Sequence, residues 1–147
     1  IGWIAGPPDL VHACWGLRDY ISLSPGKLND ALACLGLRHR EAIVARNRRI
    51  IQANLATAVQ WIADRAAFLS WTPPRGGLLA LLKYDLPLPS LDLADRLATD
   101  WSVMLAPGSA FGYEHHLRLG VGQRPDVFAK GLEETGKCFE EVRLLKM

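Results

Sequence analysis

An α+β fold is predicted from the sequence: a small antiparallel or mixed sheet of three to four strands, with helices on one face and one long helix before it. Three observations predict it. Residues 39–68 contain no proline or glycine, and Val44, Ile51, Leu55, Val59, Ile62 and Ala66 recur there at helical spacing. Four short apolar runs follow, over residues 69–71, 77–84, 103–106 and 116–121, and proline or glycine closes each soon after its end. Amphipathic stretches over residues 91–100 and 126–144 supply the helices that such a sheet needs on one side.

Taken in order, residues 1–5 form a short apolar strand, ended by Pro7-Pro8-Asp9. Asp9 is a candidate N-cap for a helix to about residue 19, with Leu10, Val11, Cys14 and Leu17 on one face. Residues 20–23 read as an irregular connection. Ser24-Pro25 is a helix start, an N-cap followed by proline at the first helical position. That helix, residues 25–36, buries Leu28, Ala31, Leu32 and Leu35. A helix over residues 39–68 would span ~45 Å. Arg38, Arg40, Arg46, Arg48 and Arg49 crowd its first half, but no aromatic residues interleave them, so they read as a solvated face. Ser90 caps the next helix, with Leu93, Ala94 and Leu97 inward. The last helix turns Phe128, Leu132 and Phe139 inward, and Gly131 and Gly136 weaken its regularity.

Composition narrows the function classes. A chain of 147 residues, half of them hydrophobic, has the material for a sizeable core. No apolar run approaches the ~20 residues of a membrane span, and the N-terminus carries no signal pattern. A net charge of +2 argues for neither nucleic acid nor an anionic membrane as partner. Cys14, Cys34 and Cys138 are far apart, odd in number and without a C-x-x-C pair, which reads as reduced thiols in the cytoplasm. No metal site is expected. His115 and His116 are adjacent in a predicted strand and point to opposite faces.

The candidate site lies in residues 103–122, V-M-L-A-P-G-S-A-F-G-Y-E-H-H-L-R-L-G-V-G. It reads as strand, glycine-rich loop, strand. The loop is no phosphate loop, because it lacks the lysine and the helix start such loops use. Arg118 stands between Leu117 and Leu119. A guanidinium among apolar neighbours needs a partner, since burying an unpaired charge is costly. An internal carboxylate or a snorkelling side chain would serve. So would a ligand carboxylate, gripped by the planar fork that only arginine provides.

P-G-S-A-F-G followed by L-R-L-G-V-G resembles the small domain of the PLP-dependent class I/II aminotransferases of fold type I. Ile1-Gly2-Trp3-Ile4-Ala5-Gly6-Pro7 resembles the strand that follows that family's cofactor site. Pro74-Arg75-Gly76-Gly77 and the apolar strand after it resemble the family's P-x-G-G segment.

The resemblance implies that the lysine forming the Schiff base with PLP, and an arginine for its phosphate, lie upstream of Ile1. Residues 1–37 would then be the end of the PLP-binding large domain, and residues 38–147 the small domain. It implies an enzyme that moves an amino group between an amino acid and a 2-oxo acid, as a homodimer. Arg118 would bind the substrate α-carboxylate, Phe111 would give apolar wall, and the Ser24-Pro25 turn would approach the neighbouring subunit's site. The chain alone would hold no PLP and be inactive. Two alternatives share the scaffold: another fold type I reaction (cyclisation, lyase chemistry or decarboxylation), or the ligand-sensing domain of a transcriptional regulator.

Overall fold

The computed structural model describes residues 1–144. The chain divides into two units, Ile1–Ala45 and Arg46–Met147. The first contains α1 (Pro8–Arg18) and α2 (Lys27–Arg38). The helix α3 (Arg40–Ala63) begins in the first unit and ends in the second. The second unit continues with β1 (Leu69–Trp71), β2 (Leu79–Tyr84), α4 (Ser90–Trp101), β3 (Ala106–Pro107), β4 (His116–Gly120) and α5 (Pro125–Leu144).

The sheet has four strands in the order β1-β2-β4-β3, and every pairing is antiparallel. Alternation along each strand separates two faces. Leu82, Tyr84, Leu117 and Leu119 point to one face and are buried. They meet Ala58, Trp61 and Ile62 of α3, Leu93 and Leu97 of α4, and Phe128, Leu132 and Phe139 of α5 in one core. Phe139 packs its ring against Trp61, Phe68 and Tyr84. Burying side chains of this size is worth about 1.5–3 kcal/mol each. The expected α+β layout is therefore present, with all helices of the second unit on one sheet face.

Several element ends differ from the sequence reading. Residues 1–5 form no strand, because no other strand supplies the ladder that an extended segment needs. Asp9 is not an N-cap; the cap position is Pro7, two residues earlier, and Pro8 opens the first turn, where a missing N–H costs nothing. Ser24 caps no helix. Gly26 is extended and is itself the N-cap of α2, so the helix starts at Lys27 and runs on to Arg38. The long helix stops at Ala63. Arg65 N–H donates to Ile62 O and Phe68 N–H to Arg65 O, a tightened turn that delivers Phe68 and Leu69 into the core.

Ser90 is the first residue of α4 rather than its cap, and Pro89, in the cap position, has no side-chain acceptor to offer. The predicted strand at residues 103–106 is paired only at Ala106–Pro107. Gly131 and Gly136 leave α5 unbroken. At Gly136 a Cβ would come 2.8 Å from the Arg65 guanidinium, so the glycine seats that side chain.

Candidate functional site

Arg118 sits at the middle of β4, flanked by β2 and β3, with Leu81 and Ala106 as its Cα partners. Its neighbours Leu117 and Leu119 face the helices, so Arg118 faces the other side of the sheet. Leu79, Leu81, Lys83 and His116 share that side by register. Arg118 is half-buried there. Among the described residues no Asp or Glu pairs with it and no protein acceptor receives its N–H groups. Its Cζ lies over the Phe111 ring, 4.6 Å from the centroid. A contact through the ring face holds a guanidinium in place without using an acceptor. The forked N–H donors are left for a planar anion.

Phe111 comes from a single 3₁₀ turn, Gly108–Phe111, that leaves β3 and returns to β4. Two glycines make the turn possible. A Cβ on Gly108 would fall 2.2 Å from Tyr113 O and 2.6 Å from His116 O. Gly112 closes the turn at φ +78°, in the left-handed region. Ser90, fully buried, ties the loop down. Its Oγ accepts from Ser109 N–H at 3.1 Å, and its own N–H donates to Glu114 Oε1 at 2.6 Å. Glu114 Oε1 also accepts from His115 N–H at 3.1 Å. These bonds hold the Glu114 carboxyl below its ordinary range, the Ser90 N–H contributing most and the His115 N–H next. Sequence reasoning missed this arrangement. The one legible signal was Ser90, read as a cap for its own helix.

The structure brings Phe111 and Arg118 together. Ser24 lies in the first unit, exposed, in the turn before α2. The histidine pair is split: His115 sets its ring against Tyr84 and His116 against Tyr113. Among the described residues no group of three or more His, Cys, Asp or Glu could hold a metal. Lys27, Lys83, Lys130 and Lys137 are all exposed, and Lys137 is engaged by Glu133 and Glu134. Lys146 lies outside the described residues. A lysine that holds PLP needs a desolvated pocket. None of these four is buried, and Lys130 lines a cavity with Trp101, Val103 and Phe128.

No protein-family model matches the chain. Capreomycidine synthase of Streptomyces vinaceus is 28% identical over 128 residues, 86% of this chain and 33% of that protein. A PLP-dependent aminotransferase from Streptococcus suis superposes with a TM-score of 0.87 at 29% identity, over 96% of this chain and 37% of the other. The PLP-dependent cyclase OrfR superposes at 0.84 with 29% identity, over 92% and 37%. The chain spans about a third of the length of the curated relatives it matches. No helix among the described residues is long and apolar enough to cross a membrane.

Proposed function

We propose that this chain, whose curated relatives and solved neighbours point to fold type I of the PLP-dependent aminotransferases, is the C-terminal part of an enzyme that moves an amino group between an amino acid and a 2-oxo acid. The observation that carries the proposal is Arg118: half-buried, braced by Phe111, and without a carboxylate of its own among the described residues. In this reading it grips the substrate α-carboxylate. Residues 1–37 belong to the large domain and residues 38–147 are the small domain. The enzyme is a homodimer, with Ser24 near the partner's site, and the three unpaired cysteines suit the cytoplasm. PLP, held by residues outside this chain, supplies the electron sink. Arg118 supplies orientation, by fixing which bond at Cα is presented for cleavage. Phe111 keeps the guanidinium plane steady and gives the site an apolar wall.

The test uses the whole enzyme. Lysine keeps the charge but loses the fork. Truncating one partner of a desolvated charge pair costs ~2–5 kcal/mol. Arg118→Lys should lose toward the lower end of that range in kcat/KM for an α-amino acid, and Arg118→Ala more. The decarboxylated amine should be little affected. Equal losses on both substrates would make Arg118 a structural residue.

A second reading, cyclisation of an amino acid on the same scaffold, is supported by the synthase and the cyclase among the similar proteins. Arg118 has the same task in both. An ¹⁵N-labelled amino acid separates them: label appearing on the second substrate marks transfer, and label retained in a ring-closed product marks cyclisation.

A further inference from the structure

The helix α4 starts on a proline cap that offers no side-chain acceptor. Its first N–H, on Ser90, is one of the donors every helix start leaves unpaired. Glu114, 24 residues on, supplies the acceptor, with a carboxylate well suited to the positive end of a helix. The hydroxyl of the same Ser90 accepts the backbone N–H of Ser109. One buried residue therefore clamps the segment that carries Phe111 on both of its sides, at Ser109 and at Glu114. The Gly108 backbone, packed on the main chain of Tyr113 and His116, closes the segment from below. Phe111 itself is substantially exposed, at 44%.

We propose that Ser90 and Glu114 are positioning residues: they latch the 108–114 segment to the start of α4, so that Phe111 stays over Arg118 and the guanidinium fork keeps the angle a substrate carboxylate requires. The proposal rests on the reading of Arg118 above. It adds that orientation at the carboxylate is set 28 residues upstream, at a position with no substrate contact.

The test pairs two measurements. The first is amide hydrogen exchange on this chain. Ser90→Ala, which deletes the hydroxyl, should speed exchange across residues 108–114 by about five-fold or more, the value of one hydrogen bond, with α5 unchanged. Glu114→Ala, at an exposed position that leaves the core intact, should do the same if Ser90→Ala fails to fold. Unchanged exchange in that segment overturns the latch.

The second measurement is kinetic, on the whole enzyme. Either variant should raise KM for the amino acid by about three- to ten-fold, and leave the decarboxylated amine within two-fold. In a Phe111→Ala background the extra loss should vanish, because the latch acts through that ring. Equal losses on acid and amine, or full additivity with Phe111→Ala, overturn the proposal while the Arg118 reading stands. Arg118→Lys without selectivity for the amino acid overturns the reading, and with it any catalytic consequence of the latch.

Discussion

Gly108 shows how tightly single residues are constrained around Arg118. The Cβ of an alanine there would sit inside contact distance of two backbone carbonyls, and backbone cannot swing aside as a side-chain tip can. Gly108→Ala should therefore cost about 1–3 kcal/mol or more by overpacking, seen as a lowered Tm. Cys138 gives a second residue-level expectation. Burial pushes its thiol up to about 11, and Cys34 is exposed. A thiol reagent at neutral pH should label Cys34 in the native chain and reach Cys138 only after unfolding. Arg118 stood out at this scale as one charge among leucines, a pattern that by itself left an internal carboxylate, a snorkelling side chain and a ligand carboxylate all open. The Ser90–Glu114 pairing did not stand out. Glu114 accepts from the backbone, and no sequence pattern records which distant N–H a carboxylate will meet.

Among the elements, β4 and its return loop hold the second unit together with help from α3. Asn54 of α3 is buried, and its Nδ2 donates to Val121 O at 3.0 Å and Gln123 O at 2.7 Å. Asn54→Ala strands two carbonyls just past β4 and should lower stability by about 2–3 kcal/mol, read as a shifted denaturation midpoint with an unchanged slope. The loop should also respond to acid. A carboxyl held low in the folded state gives stability that is present above its unfolded value and is lost as pH falls through the folded one. Protection of residues 108–114 should thus be full at neutral pH and fall below the ordinary carboxylate range; Glu114→Gln should remove that dependence. Element types were readable from periodicity, since β1 and β2 are apolar runs and α3 and α5 keep helical spacing. Their ends were set by tertiary demands. The last turn of α3 tightens to bury Phe68, and Gly26 takes extended geometry ahead of α2.

At the scale of the molecule, the two units differ in kind. The second has a core that includes Phe139, Leu117 and Val142 at 0% exposure, whereas neither α1 nor α2 buries a residue. Trp3, Ile4, Trp15, Ile21 and Leu28 of the first unit are exposed, and apolar surface of that extent favours association. The chain by itself should sediment as an oligomer at high concentration, and a compact monomer with an ordered first unit would count against this. PLP titrated into it should give no saturable, stoichiometric absorbance band, since every described lysine is exposed and none is desolvated.

The two-sided sheet has a consequence for how such a chain diversifies. Odd and even positions of β4 face different surroundings. Leu117 and Leu119 are tied to the scaffold, while Arg118 and its cross-strand neighbour Leu81 are answerable only to what lies on the far side. A saturation scan along β2 and β4 should therefore alternate residue by residue, abundance falling at one position and turnover alone at the next. If Arg118 grips a substrate as proposed, variation at Leu79 and Leu81 leaves the scaffold intact, and new substrates are explored on one face while the other stays fixed.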